Sequence, residues 1–240
     1  MNRLAGLVAL LFAASPAQAA RRSFAWLWDT DVVPERTVEL EWWVTEVSDD
    51  LTGNSAVLTV STVFGLTDNL EIAIPVEAAW RSGSNQTEFQ DYGIELRWRL
   101  ASADPAKAPP VVPLIRVAVE RLIQLDAARI DLNAVVSADL GHKLRLVADV
   151  DGYVITADPA SWYLAGGVGA SYGLTDDLRI GAELYGVKSL DNDRRDVSWL
   201  SVGPNLAYTH GRFWITAAIP IGFGDNAPNI LPRIIWATAF

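Results

Sequence analysis

The 240-residue chain lacks cysteine and contains a single methionine, which excludes disulfide bonds, thiolate metal sites and a lipid-modified N-terminal cysteine. After the N-terminus no run of 18 residues is apolar and uncharged, which argues against a helical membrane protein. Histidine occurs only at His142 and His210, too few for an imidazole metal centre, and the sequence predicts neither a metal nor a cofactor. The formal charge of −10 offers no basic surface for nucleic acid.

The N-terminus has the three parts of an export signal. Arg3 provides the positive charge, the stretch 4–14 is small and apolar, and Ala17 and Ala19 fit the A-x-A cleavage pattern. We therefore expect residues 1–19 to be a signal peptide that is cut after Ala19. The apolar stretch is too short to cross a bilayer as a helix.

Apolar and polar residues alternate almost continuously after residue 35, and alternation is typical of strands with one apolar and one polar face. The runs of alternation are long enough for tilted strands that cross a membrane. They cover residues 36–47, 54–65, 69–80, 89–100, 111–122, 129–140, 143–153, 161–172, 177–188, 197–208, 212–220 and 232–240. The pattern predicts an all-β fold, a transmembrane antiparallel up-and-down β-barrel of about 12 strands over 36–240. Pro75 and Pro220 interrupt this pattern and are expected at bulges.

An even number of strands places both termini on one side, which we expect to be the periplasm. The last strand ends at Phe240 with Ile234 and Trp236 on the same face, and this resembles the C-terminal signal of bacterial outer-membrane proteins. The expected location is therefore the outer membrane. The expected partners are outer-membrane lipids and, through the strand ending in Phe240, the insertion machinery.

Aromatic residues should mark the two membrane interfaces, because their rings favour the headgroup level. Residues with lipid-facing parity at strand ends form the predicted girdle: Phe64, Trp80, Trp98, Trp162, Tyr172, Tyr208, Phe213 and Phe240.

The opposite parity should face the lumen, and it carries more acids than bases. The predicted lumen-lining residues are Glu39, Glu41, Glu71, Glu77, Glu95, Arg97, Arg99, Arg116, Glu120, Asp139, Arg145 and Arg233. Buried charges need partners. We expect Glu95 beside Arg116, Asp139 near Arg145 or Lys143, and Arg233 beside Glu39 or Glu41.

An internal repeat relates two turns. The segment 64–72, FGLTDNLEI, recurs as YGLTDDLRI at 172–180, and each copy joins a strand end, a tight turn and a strand start. These turns, the Ile74-Pro75 pair and the segment 29–44 resemble the outer-membrane transporters grouped with the phenol meta-degradation pathway. The resemblance implies a barrel that passes small, aromatic or hydrophobic molecules, and it implies no catalytic residue.

Three functions stay open. The first is a channel or transporter for small solutes, with the lumen-facing charges lining the passage. The second is a structural or interaction barrel with a closed lumen. The third, an enzyme, is disfavoured because both histidines are expected in periplasmic turns. Residues 20–35 lack alternation but contain Phe24, Trp26 and Trp28, so this segment is expected either to plug the barrel or to lie in the periplasm.

Overall fold

The computed structural model describes residue 20 and residues 22–49, 53–83, 86–104, 107–141, 143–191, 198–224 and 227–240. The expected signal peptide, residues 1–19, thus lies outside the described residues, and Ala20, the residue after the expected cut, is described. The strands are β1 Val38–Asp49, β2 Gly53–Thr67, β3 Leu70–Arg81, β4 Gln86–Arg99, β5 Val111–Leu122, β6 Ala127–Leu140, β7 Leu144–Ile155, β8 Ser161–Gly173, β9 Leu178–Ser189, β10 Ser198–His210, β11 Phe213–Ala218, β12 Ile221–Phe223 and β13 Arg233–Ala239. No helix in the described part of the chain is long and apolar enough to span a membrane.

The strands close into an antiparallel barrel, in which consecutive strands pair with each other from β1 through β11. β13 closes the barrel by pairing with both β1 and β11, and β10 pairs with both β11 and β12. The partner of Ala218 is Asn205 and the partner of Ile221 is Val202, so one register runs through both short strands. β11 and β12 are thus one interrupted strand, and the predicted barrel of about twelve strands is confirmed.

Two sequence predictions about the prolines are corrected by this register. Pro220 does not create a bulge; the ladder is interrupted at Ile219 and Pro220 and resumes in the same register, because proline only removes a donor. Strand pairing consequently extends into residues 221–223, beyond the predicted run 212–220. Near Pro75 the register shift lies further along, between Glu77 and Ala78.

The outer surface of the barrel is apolar. Leu132 is 61% exposed and Val150 is 57% exposed, and both belong to a wide band of exposed apolar side chains around the wall. Exposed apolar surface on this scale needs a lipid environment. Seven of the eight predicted girdle residues are exposed at strand ends and Phe64 is partly buried.

The barrel has two ends, named here by what lies at each. At the terminal end, β1 begins beside the last residue, with Phe240 N donating to the Val38 carbonyl at 2.8 Å. At the opposite end, called the loop end, Asp49 pairs with Gly53. This arrangement fixes the depth of every lumen residue relative to the termini.

Residues 22–34, called the plug segment below, lie inside the barrel. Phe24 is only 1% exposed, and Leu27 and Val33 are buried as well. The segment rises from the terminal end beside Glu41, turns near Trp26 and returns to β1 past Glu71. Its apolar side chains pack against inward-facing Leu114, Val135 and Val147 on the central strands.

Gly65 allows the returning part of the plug segment to lie against β2. A Cβ atom at this position would be 1.9 Å from the Pro34 carbonyl oxygen, so any side chain would push the two backbones apart. The two backbones are joined here by hydrogen bonds, from Arg36 N to the Gly65 carbonyl at 3.0 Å and from Gly65 N to the Thr37 carbonyl at 2.9 Å.

Candidate functional site

The candidate site is the lumen, and the alternation of the sequence places its charges there. Seven of the twelve predicted lumen residues are buried: Glu39, Glu41, Glu71, Glu95, Arg97, Arg116 and Arg145. Four are partly buried: Glu77, Arg99, Glu120 and Arg233. Asp139 lies at the terminal end with an exposed carboxylate. The structure thus brings most of the set together and leaves Asp139 at the rim.

A chain of ion pairs crosses the first five strands. Arg97 Nε lies 2.5 Å from Glu71 and 2.8 Å from Glu95, and Arg116 Nε donates to Glu95 at 2.7 Å. The predicted Glu95–Arg116 pair is therefore present. Arg22 of the plug segment extends the network by pairing with Glu41 at 3.0 Å. Because buried charges are costly without partners, the Arg22–Glu41 pair couples the plug segment to the network of the wall.

The expected pairing of Arg233 with Glu39 or Glu41 is wrong. Antiparallel closure aligns Arg233 with Thr45 near the loop end, whereas Glu39 is aligned with Ala239 at the terminal end. Arg233 instead donates to the Thr45 hydroxyl at 2.9 Å, and its guanidinium carbon lies 3.6 Å from the centre of the Trp26 ring. The alternation of the sequence correctly places Arg233 on the lumen face. The antiparallel register, however, places Arg233 too far from Glu39 and Glu41 along the barrel axis for an ion pair.

Glu183 on β9 binds the turn of the plug segment. Its carboxylate accepts hydrogen bonds from the backbone N–H groups of Ala25, Trp26 and Leu27, at 2.8, 2.7 and 3.0 Å. Asn205 donates to the same carboxylate at 3.0 Å and to the Ser23 carbonyl at 2.9 Å. Three successive N–H groups facing one anion form a nest, so a single lumen carboxylate satisfies the whole turn.

Arg145 on β7 holds the returning part of the plug segment. Its guanidinium binds Asp29 at 2.6 Å, lies 3.4 Å from Asp31 and binds Asp139 at 3.0 Å. The predicted Asp139–Arg145 pair is therefore present. Partial burial raises the pKa of Asp31, and the nearby Arg145 opposes that rise. Asp149 adds a further contact by accepting from Trp28 N at 2.9 Å.

Trp28 is surrounded by guanidinium groups. The guanidinium carbons of Arg116, Arg22 and Arg97 lie 4.4, 4.8 and 5.2 Å from its ring centre. Cations favour the negatively polarised face of an indole ring. The ring therefore joins an arginine of the plug segment to two arginines of the wall.

A chamber of about 480 Å³ lies between the plug segment and the loop end. Its aromatic lining comprises Trp26, Trp28, Trp43, Tyr185 and Trp199. Its charged lining comprises the four carboxylates Glu41, Glu77, Glu95 and Glu120 and the four guanidiniums Arg97, Arg116, Arg129 and Arg233. The acid excess expected along the whole lumen is therefore absent from the chamber lining, and the volume is in the range of small-molecule sites.

Sequence reasoning did not identify the plug contacts of Glu183, Asp149 and Asn205, nor the packing of Trp214 with Ala25 of the plug segment. Each has the correct inward parity, but its role depends on a segment distant in sequence. The available signal was the segment itself, where the charged residues Arg22, Asp29 and Asp31 flank a run that contains three aromatic residues. A segment with both charged and aromatic side chains is better suited to a charged, enclosed lumen than to exposure to water or to lipid.

Of the two histidines, only His210 lies in the described part of the chain, and His142 lies outside it. His210 is the last residue of β10, whereas the sequence predicted it to be in the turn that follows. Its Nδ1 lies 3.0 Å from the Asp177 carboxylate, and its ring stacks on Tyr208. Among the residues that the structure describes, no group of three or more His, Cys, Asp or Glu side chains could hold a metal ion.

Comparison with known proteins finds similar structures but no similar sequence. No family model matches the sequence, and no curated protein is similar enough to count as a relative. An outer membrane channel from Pseudomonas putida F1 superposes with a TM-score of 0.59 at 12% identity, covering 88% of this chain and 98% of that one. The NanC porin gives a TM-score of 0.57 at 8% identity, covering 84% and 98%.

The KdgM porin in complex with disordered oligogalacturonate gives a TM-score of 0.54 at 12% identity, covering 85% of this chain and 99% of that one. At these identities the comparison concerns the fold alone. The chain therefore has the fold of outer-membrane β-barrel channels and porins.

Proposed function

We propose that this protein is an outer-membrane channel for small solutes, in which residues 22–34 close the terminal half of the lumen. The chamber carries the proposal, because it lies beneath the loop end and its floor is formed by Trp26 and Trp28 of the plug segment. The contacts that hold this floor are hydrogen bonds, ion pairs and packing, which can break and re-form. A solute that enters the chamber thus needs displacement of the plug segment to pass.

Planar-bilayer conductance tests this proposal. Deletion of residues 22–30 should produce a larger and steadier current than the full mature protein, because it removes the chamber floor and the Glu183 contacts. Replacement of the same residues by a glycine–serine segment of equal length is the matched control for chain length, and it should also raise the current. If neither change alters the current, the wall charges close the lumen by themselves, and the structural barrel is the better assignment.

We further propose that the solutes are small aromatic or hydrophobic molecules. The support is the resemblance to the phenol-pathway transporters together with five aromatic side chains and balanced charges around the chamber. In the deletion variant, a phenol probe should reduce the single-channel current. Trp43→Ala should weaken this block, whereas Trp162→Ala, which removes an exposed tryptophan from the outer wall, should leave it unchanged. Equal block in both variants would contradict the aromatic assignment.

The location and the insertion partner form part of the same proposal. We place the barrel in the outer membrane with both termini in the periplasm, and we propose that the insertion machinery recognises the strand ending in Phe240. Phe240→Ala should reduce the amount of protein in outer-membrane fractions. Phe213→Ala is the matched control, since it removes another exposed phenylalanine from the terminal end. Equal accumulation of the two variants would contradict recognition through Phe240.

A further inference from the structure

The backbone nitrogen of Ala20 lies against a buried carboxylate. Ala20 N donates to Glu39 Oε2 at 3.1 Å, while Trp214 Nε1 donates to Glu39 Oε1 at 3.0 Å. Glu39 is completely buried, and Ala20 packs with Val33, Val63 and Ala73 in a small apolar cluster. The carboxylate therefore receives two neutral donors in a position that water does not reach.

The neighbouring carboxylates, by contrast, all have cations. Glu41 pairs with Arg22, Glu71 with Arg97, and Glu95 with both Arg97 and Arg116. Among the described residues Glu39 is the member of this group with no lysine, arginine or histidine nitrogen within 4.0 Å. A buried carboxylate without a countercharge is unfavourable. Within the described part of the chain, Glu39 thus lacks the positive charge that each neighbouring carboxylate has.

The sequence independently identifies a source for that charge. Its cleavage pattern places the cut after Ala19, which makes Ala20 N the first atom of the mature chain. Hydrolysis by a leader peptidase adds water across the Ala19–Ala20 peptide bond. Ala19 leaves with a carboxylate, and the Ala20 nitrogen takes up protons to become an α-ammonium.

We propose that cleavage after Ala19 creates an α-ammonium that pairs with Glu39 inside the lumen and holds the plug segment in place. The mature N-terminus then supplies the missing cation of the network. Docking of the plug segment depends on processing, because the unprocessed chain has only a neutral amide at this position. The inference does not require the barrel to be a channel.

The test shifts the ammonium without changing the barrel. Two glycines are inserted between Ala19 and Ala20, so that processing leaves Gly-Gly-Ala20, and mass spectrometry identifies the mature N-terminus of each purified protein. Trypsin cleavage after Arg22 then reports release of the plug segment. The extended protein should be cleaved roughly tenfold faster or more, because proteolysis follows the population of the open form.

A double-mutant cycle separates the ion pair from crowding by the added residues. Glu39→Gln should accelerate cleavage to a similar extent, and the glycine insertion should add little in that background. Glu77→Gln is the matched control: Glu77 also faces the lumen but accepts from Thr59, so the insertion should keep its full effect there. The proposal is overturned by a mature N-terminus other than Ala20, by equal cleavage of the extended and native proteins, or by full additivity with Glu39→Gln. These readouts are independent of ion current, so they leave the channel assignment untouched.

Discussion

The two halves of the lumen contain the same kinds of charged residues, but these residues have different partners in each half. In the terminal half, carboxylates and arginines of the wall bind the plug segment, as Glu183 does with three backbone N–H groups and Arg145 with Asp29. In the loop half, the wall charges bind one another, as Arg129 does with Asp131 at 2.6 Å, and a chamber remains open beside them.

The comparison shows that lumen charge alone does not determine whether a barrel is open. A barrel of this size lies between small filled barrels and wide water-filled porins. The two halves differ in whether the plug segment provides partners for the charged residues of the wall. Substitutions that act on this difference should therefore affect the plug segment first and the barrel second.

Loss of the Glu183 carboxylate should have the largest effect. Glu183→Ala leaves three backbone N–H groups and the Asn205 amide without this acceptor, and each buried donor left unsatisfied costs about 1–3 kcal/mol. We expect the free energy that holds the plug segment to fall by several kcal/mol, measured as faster tryptic cleavage after Arg22. Glu77→Ala removes a lumen carboxylate from the loop half and should leave that rate near the native value. Equal rates in both variants would mean that the turn is held by packing alone.

The internal repeat offers the next test, because its two glycines have different neighbours. A Cβ atom on Gly65 would collide with the Pro34 carbonyl, whereas on Gly173 the nearest atom would be 3.5 Å away. Gly65→Ala should destabilise the seated plug segment by about 1–3 kcal/mol, as expected for overpacking. Gly173→Ala should be close to neutral. The midpoint of the heat-induced gel shift compares the two, and equal shifts would contradict the close approach of the plug segment to β2.

The two carboxylates bound to Arg145 should contribute unequally to stability, with the larger contribution from the one in the plug segment. Asp29 is 2% exposed and belongs to the plug segment, whereas Asp139 is 60% exposed and lies at the rim. Asp29→Asn should cost about 1.5–3 kcal/mol, the range for buried hydrogen bonds to charged groups. Asp139→Asn should cost about 0–1 kcal/mol, as exposed ion pairs do. Denaturant unfolding of the purified barrels measures both, and a larger loss for Asp139→Asn would reverse the expected order.

The smallest effect should come from Arg233, which contacts the turn of the plug segment from the loop half. Its guanidinium stacks on Trp26 at the turn of the plug segment, a contact worth about 0.5–2 kcal/mol. Arg233→Ala should increase tryptic cleavage modestly without lowering the amount of inserted barrel. Lys143→Ala is the control, since Lys143 lies 5.7 Å from the Tyr172 ring at the terminal rim. Unchanged cleavage in Arg233→Ala would show that the turn is held from the terminal half alone.

The barrel could be predicted from the sequence because alternation is a local signal. Each run fixes a strand and assigns its two faces, and this suffices for the lumen positions of Glu39, Glu71 and Arg116. Pairs across one short turn or between consecutive strands, such as Asp139 with Arg145, follow from the same information. Closure also follows, since a spanning sheet in lipid has no tolerable free edge.

Depth and the plug segment could not be predicted in the same way. The predicted pairing of Arg233 with Glu39 or Glu41 is wrong because alternation assigns a side chain to a face of the sheet but not to a position along the barrel axis. The contacts of Glu183 and Asp149 with residues 25–28 join positions more than a hundred apart in sequence, and no period in the chain encodes them. The sequence does not distinguish the strand interruption at Pro220 from a bulge, because a missing donor and an extra residue leave similar sequence patterns.

The position of the plug segment at the start of the chain has a consequence for the order of assembly. Trp26 Nε1 donates to the Leu231 carbonyl at 3.2 Å, and Ala25 packs in a cluster with Ile235, Ala237 and Ala239. The plug segment, near the start of the chain, therefore has part of its binding site on the last strand, β13, and the residues just before it. The cavity that receives residues 22–34 does not exist until β13 pairs with β1. Either the segment is already in place when this seam forms and is enclosed by it, or it enters afterwards from the terminal end, which the direct connection from residue 34 to β1 keeps within reach.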